Sequence, residues 1–174
     1  MTAIRHARPA DLERVRAVQL QSWRQTYAGV LPAAYLEDAI EADLVRTWTL
    51  ERLEAALVLV AERGGEVVGF AATLPDHEGG PYLDNLHLQA DARGQGLGRA
   101  LMAGTAAALL QWGHEGLHLT VAIGNDRARR FYRKLGGTEG PPREENLFGH
   151  LVAALPVRFD KLDTLAGLPD LKPA

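Results

Sequence analysis

The stretch "DARGQGLGRALM", Asp91 to Met102, decides how this chain is read. It follows an alternating apolar run, "PYLDNLHLQ" (81–89), and opens a long helix-forming stretch, "GLGRALMAGTAAALLQW" (96–112). Gly94, Gly96 and Gly98 remove side chains where a backbone must turn tightly or meet a ligand. The first N–H groups of the helix have no intrahelical partner, and the helix dipole adds positive potential, so this junction is an anion site. Arg93 and Arg99 flank it and can add charge-assisted bonds. The expected ligand is a pyrophosphate. Two nucleotide readings fail on spacing. A P-loop needs G-x-x-x-x-G-K-[ST], and the lysines are Lys134, Lys161 and Lys172. A dinucleotide fingerprint needs G-x-G-x-x-G. Counted from Gly94 its last position holds Arg99, and counted from Gly96 it holds Leu101.

The flanks extend this strand–loop–helix unit. Upstream, "ALVLVAE" (56–62) and "EVVGFAATL" (66–74) are β-rich runs joined across Arg63-Gly64-Gly65, a hairpin signal. Further back, "TAIRHA" (2–7) predicts a first strand and "ADLERVRAVQLQSWRQTY" (10–27) a helix. Gly29 ends that helix, "LPAAYLEDAI" (31–40) starts a short one, and "EADLVRTWTLERLEAA" (41–56) predicts a third. Downstream, "GLHLTVAI" (116–123) is a strand. "NDRARRFYRKLGG" (125–137) is a helix with Asn125 and Asp126 as capping candidates and Gly136 at its end. "EENLFGH" (144–150) and "LVAALPVRFDKL" (151–162) predict the last two strands.

The chain has 174 residues, 47% of them hydrophobic and 24% charged, which suits one ordinary domain. We expect that domain to span 1–163, with 164–174 a loosely ordered tail. A net charge of −3 gives no footprint for nucleic acid. With no cysteine, disulfides, thiolate nucleophiles and cysteine zinc sites are excluded. No apolar run approaches the length of a membrane span and no leader-like start is visible, so a cytoplasmic location without a membrane partner is the default expectation.

Two motifs together carry a family resemblance. Arg93-x-x-Gly96-x-Gly98 lies between a strand and a helix. After another strand come Asn125, Ala128, Phe131-Tyr132 and Leu135-Gly136. In order and separation they resemble the GNAT superfamily of N-acetyltransferases, over about Ile4 to Leu162. The resemblance implies an α/β (α+β) fold. Its central sheet would be mixed, mostly antiparallel and of about seven strands, flanked by helices, with a splayed V between strands 4 and 5. It implies acetyl transfer from acetyl-CoA, as co-substrate and without a metal, to a primary amine in a ternary complex. The backbone of Leu86, His87 and Leu88 would pair with the pantetheine arm like an added strand. A bulge there would open the V, and an N–H near Leu88 would polarise the thioester. The loop Arg93, Gly94, Gln95, Gly96, Leu97, Gly98 and Arg99 would take the pyrophosphate, with Asn125, Ala128 and Phe131 against the coenzyme. Two departures stand out: Gly137 follows Leu-Gly where the family often has a bulky apolar residue, and His87 replaces a common Tyr.

Tyr132 lies two helical turns beyond Asn125, so its ring can point back into the slot. There it would act as general acid for the leaving thiolate, although a Tyr at that spacing also reads as core packing. For the base, Asp84 on the fourth strand is the first candidate, with Glu62, Tyr82, His87 and a water chain as rivals. Trp23, Tyr27 and Tyr35, near Glu37 and Asp38, suit a cationic acceptor, a small molecule or a peptide. Trp23 and Tyr27 equally read as helix packing. Homodimers are common in the family, and the final strands would be a contact surface. The rival reading from another class is a non-catalytic module that binds acyl-CoA as a sensor or interaction partner.

One motif points elsewhere. His114-Glu115-Gly116-Leu117-His118 fits H-E-x-x-H, the zinc-hydrolase pattern. That chemistry needs continuous helix, and Gly113 and Gly116 cost about 1 kcal/mol each in one. "LHLTVAI" alternates like a strand, and a third ligand is missing. The segment is expected to be a turn leading into a strand.

Overall fold

A computed structural model describes residues 2–167. Along the chain run β1 (Thr2–His6), α1 (Leu12–Thr26), α2 (Ile40–Thr47), α3 (Leu50–Ala55), β2 (Leu57–Arg63), β3 (Glu66–Leu74) and β4 (Tyr82–Leu88). They continue as α4 (Leu97–Gln111), β5 (Leu117–Ala122), α5 (Asp126–Lys134), β6 (Thr138–Glu139), β7 (Arg143–Leu147), β8 (His150–Phe159) and α6 (Leu162–Ala166). One eight-stranded sheet has the order β1-β2-β3-β4-β5-β8-β6, with β7 also paired to β8. All pairs are antiparallel except β4–β5.

The β2 run "LVLVA" is buried on both faces because the sheet carries a core on each side. Leu57, Leu59 and Ala61 face the core built with Leu97, Leu101 and Leu109 of α4. Val58 and Val60 face the core built with Val15 and Val18 of α1 and Trp48. Period-2 alternation thus sends successive residues to opposite cores. Each fully buried Leu, Val or Phe contributes about 1.5–3 kcal/mol, so both layers bind the sheet firmly.

Four local differences from the sequence reading have physical causes. The helix expected over 41–56 breaks at Trp48, which is 2% exposed. Thr49 then caps α3 by accepting the Arg52 N–H at 3.2 Å. The strand expected over 144–150 ends earlier: Phe148 and Gly149 form a hairpin turn with positive φ, closed by the Gly149 N–H on Asn146 Oδ1 at 2.6 Å. An eighth strand, β6, extends the β7 edge of β8, interrupted where Pro141 and Pro142 offer no N–H to the ladder. The last strand stops at Phe159, and residues 162–166 form α6, which seats Leu162 and Leu165 against α4. Residues 168–174 of the expected tail lie outside the described residues.

Gly137 also finds its reason. A Cβ there would lie 2.8 Å from Val157 Cγ1 and 2.9 Å from Phe159 Cζ, so β8 side chains already fill that space. Among the described residues, no helix is long and apolar enough to cross a membrane.

Candidate functional site

β4 and β5 meet at one register pair, Tyr82 with His118, where the His118 N–H donates to Pro81 O at 3.0 Å. Beyond it they part. On its other edge β4 carries a bulge: Asn85 pairs with Ala72 and Leu83 with Thr73, leaving Asp84 as the extra residue. Bulges bend the strand that carries them, which turns β4 away from β5. A cavity of about 740 Å³ occupies the gap and runs between α1, α4, α5 and the β7–β8 hairpin.

One end of the cavity is built for an anion. Gly94 (φ 77°) and Gly96 (φ 80°) take left-handed conformations that side chains disfavour. The first α4 bond runs from the Ala100 N–H to Gly96 O, and no side chain caps the helix, so the N–H groups of Leu97, Gly98 and Arg99 face the loop unpaired within the helix. A Cβ on Gly98 would sit 3.3 Å from the Phe131 ring, so glycine lets α4 and α5 close here. Arg93, Arg99 and Arg127 line this end. Burial, joined by the like charge of Arg127, lowers the Arg93 pKa from its ordinary value. An anion between these guanidiniums would relieve that repulsion.

Of the residues expected to hold the coenzyme, Leu86, His87, Leu88, Arg93, Gly94, Gly96, Gly98, Arg99, Asn125, Ala128 and Phe131 line the cavity. Two do not. Leu97 is 2% exposed in the core, and Gln95 turns outward to donate to Asp91 O at 2.7 Å. The Leu88 carbonyl accepts Arg93 Nε at 3.0 Å, so it is engaged by the protein. Asn125 Oδ1 caps α5 by accepting the Ala128 N–H at 3.1 Å.

The other end is aromatic and acidic. Trp23 lies 4.7 Å from Tyr27 and 5.6 Å from Phe148, ring centre to ring centre. Phe148, at the hairpin tip with φ 49°, thus covers the α1 aromatics. Tyr82, Asp84, Tyr132 and Glu145 line the same end. Burial pushes Tyr27 up to about 12 and raises Tyr82. Burial, with smaller contributions from Tyr27 and Tyr82, also raises Tyr132 above its ordinary range. The three phenols therefore converge within electrostatic reach of one another and stay protonated at neutral pH.

Each carboxylate is paired with an arginine that stands outside the cavity. Asp84 is paired with Arg52 and accepts Asn85 Nδ2 at 2.6 Å, both on Oδ2. Glu145 pairs with Arg143 at 2.6 Å. Two expected residues fall elsewhere. Tyr35 packs against His150 and donates to Asp43 Oδ2 at 2.8 Å, away from the cavity. Glu62 pairs with Arg5 near the β1 edge of the sheet. His87 does line the cavity, but burial lowers it to about 3, which makes it a weak proton acceptor.

Sequence reasoning missed a polar chain beneath this end. Trp48 Nε1 donates to Gln19 Oε1 at 2.6 Å, and Gln19 Nε2 donates to Asn85 Oδ1 at 2.9 Å. His87 Nε2 lies 3.3 Å from that same Oδ1, and its Nδ1 lies 3.0 Å from Ser22 Oγ. It missed Arg127 and Glu145 as well. A cavity-facing position on α1, α5 or β7 leaves no mark that distinguishes it from a solvated one.

The H-E-x-x-H segment is not helical. α4 ends at Gln111, His114 lies in the following loop, and His118 stands in β5 with Nε2 3.1 Å from Gly80 O. No group of three or more potential metal ligands occurs among the described residues.

The comparisons agree with this geometry. Residues 11–137 match the family model described as acetyltransferase (GNAT) family. The chain is 32% identical over 125 residues to the uncharacterized N-acetyltransferase YuaI of Bacillus subtilis, covering 70% of this chain and 72% of that one. It is 30% identical over 144 residues to the probable N-acetyltransferase Rv2775 of Mycobacterium tuberculosis, covering 75% and 76%. Its fold is similar to the PaiA N-acetyltransferase of Thermoplasma acidophilum, a structure solved with coenzyme A, with a TM-score of 0.72, 22% identity, and coverage of 89% and 98%. With the family model spanning residues 11–137, from α1 through the anion site to the end of α5, the chain belongs to the GNAT acetyltransferase family.

Proposed function

We propose that this protein transfers an acetyl group from acetyl-CoA to a primary amine by direct attack in a ternary complex. One observation carries the reading. A single cavity joins an arginine-lined anion site to a cluster of phenols and carboxylates, along the unpaired edge of β4. The pyrophosphate sits on the α4 N–H groups with Arg93, Arg99 and Arg127. The pantetheine arm lies along Leu86 and His87, and brings the thioester toward Tyr132. A β4 backbone N–H near Leu88 polarises the carbonyl oxygen.

The amine nitrogen attacks the carbonyl carbon, a C–N bond forms and the C–S bond breaks. The cationic amine first releases one proton to solvent and attacks as the free base; as the C–N bond forms, a second proton leaves the nitrogen to Asp84, directly or through a water. The departing sulfur takes one from Tyr132, and the phenol is then reprotonated. Thiols titrate near ~8.5, below a buried phenol, so free transfer from Tyr132 to a thiolate is uphill. Tyr132 therefore acts first as a hydrogen-bond donor to the developing charge, and the proton moves as the amine's proton is delivered. The amine enters past Trp23, Tyr27 and Phe148, with its cationic form attracted by Asp84 and Glu145.

The test is thiol release from acetyl-CoA with benzylamine, spermidine, lysine, glycine methyl ester and an alanyl dipeptide. Turnover of at least one, with the acetyl group found on nitrogen, supports the reading. Coenzyme A binding without turnover on any of these amines would favour the non-catalytic module instead.

A further inference from the structure

The chain beneath the acceptor end has one possible polarity. Trp48 Nε1–H can only donate. It therefore fixes Gln19 with Oε1 toward the indole, at 2.6 Å, and Nε2 toward Asn85. Gln19 Nε2 then donates to Asn85 Oδ1 at 2.9 Å. The far side agrees independently: an Asp84 carboxylate only accepts, so the Asn85 group 2.6 Å from it must be the Nδ2 donor. Asn85 is pinned from both directions, with Oδ1 toward His87.

The consequence passes on to the ring. His87 Nε2, 3.3 Å from Asn85 Oδ1, must carry the proton. Nδ1 of the neutral ring is then an acceptor, and its partner at 3.0 Å is Ser22 Oγ. Ser22 spends its one O–H on Nδ1. A helical serine often donates instead to the carbonyl one turn back, but Ser22 makes no such bond among the described residues. Ser22 is 6% exposed, and it lines the cavity. Its remaining polar capacity there is lone pairs only.

We infer that Ser22 Oγ is a dedicated acceptor for an N–H of the incoming amine, a positioning residue whose polarity is set by the Trp48–Gln19–Asn85–His87 chain. The inference rests on the acetyl-transfer reading and adds a specificity to it. A hydroxyl that could donate would bind a carbonyl or ether oxygen as readily as an amine. One forced to accept rejects those oxygens, takes only a group with a hydrogen to give, and aims an amine's lone pair away from itself. The acceptor therefore needs two nitrogen hydrogens, one for Ser22 and one lost in the reaction, so primary amines are favoured over secondary ones.

Two measurements test this. In 15N-labelled wild-type protein, long-range 1H–15N correlation of the ring, assigned by its loss in His87→Gln, is expected to place the proton on Nε2. A proton on Nδ1 overturns the proposal. Ser22→Ala is then assayed with the panel amine of highest kcat/KM and with its N-methyl counterpart. The expected result is an amine KM raised about tenfold, an unchanged KM for acetyl-CoA, and a smaller preference for the primary amine. An unchanged amine KM, or an equal rise in both KM values, overturns it while wild-type turnover leaves the transferase reading standing. A wild type that turns over no amine sinks both.

Discussion

The two ends of the cavity are made of different material. The coenzyme end is built mainly from backbone: left-handed glycines, the open start of α4 and the unpaired edge of β4. The acceptor end is built from side chains of α1, β4, α5 and the β7–β8 hairpin, those of α1 and β4 being joined by hydrogen bonds. Backbone recognition suits a ligand that does not vary, because any sequence that makes the turn makes the site. Side-chain recognition can be retuned one residue at a time. The contrast explains how a fold can keep its acyl donor while its acceptor changes.

Substitutions can break that division, beginning where the two ends join. Tyr132→Phe should lower kcat by roughly 10²-fold or more, the usual scale of a lost proton-transfer group, while acetyl-CoA affinity by calorimetry stays the same. A loss confined to affinity would place Tyr132 at the coenzyme end alone. Arg127→Ala should raise the KM for acetyl-CoA about tenfold, the scale of one charged hydrogen bond, and leave the amine KM unchanged. Its effect should shrink as salt rises.

The acceptor end should also report itself in stability. The His87 pKa is depressed in the fold, to about 3, so the unfolded chain binds the more protons below pH ~6.5. Stability contributed by the neutral ring is therefore complete above that pH and is lost as pH falls toward the folded value. Urea unfolding should show a loss of ~2 kcal/mol between pH 7 and pH 5 that shrinks in His87→Gln. His118, also lowered mainly by burial, adds to the slope with the same sign and remains in that variant. The smallest effect belongs outside both ends. His114→Ala should leave kcat/KM within about twofold, since a substitution away from both sites does little. A large loss would return the H-E-x-x-H segment to the chemistry.

This division also governed what the sequence could reveal. The Arg93–Arg99 loop was legible because its parts are contiguous and its glycines have one conformational use. Asn125 and Tyr132 were legible because one helix spaces them. Arg127 belongs to the same anion site but arrives from α5, and Ser22, Asn85 and Glu145 come from three separate elements. Their convergence is a property of the fold, and a buried serine on α1 reads as any small residue on a packed helix. Tyr35 misled for the same reason: it shares a core with Trp23 and Tyr27, but Asp43 and His150, which hold its ring away from the cavity, reach it only through the fold. At Trp48 the break between α2 and α3 was readable in principle, since Thr49 is a good capping residue, but apolar periodicity ran on across it.

The single register pair between β4 and β5 has a mechanical consequence. Among the described residues it is the only rung that joins the ladder β1–β4 to the ladder β5–β8. Cooperativity across the molecule is then carried chiefly by α4 and the apolar layer beneath it, and the two ladders can open as separate units. A molecule lying in the gap acts as a rivet. At a hundred times its dissociation constant it adds about 2.7 kcal/mol to the folded state. Amide exchange should therefore slow in the far half of β8, at Val157 to Phe159, beyond the β8 residues that line the cavity, as well as along the lips of the slot. In such a protein the substrate is for a moment a structural member.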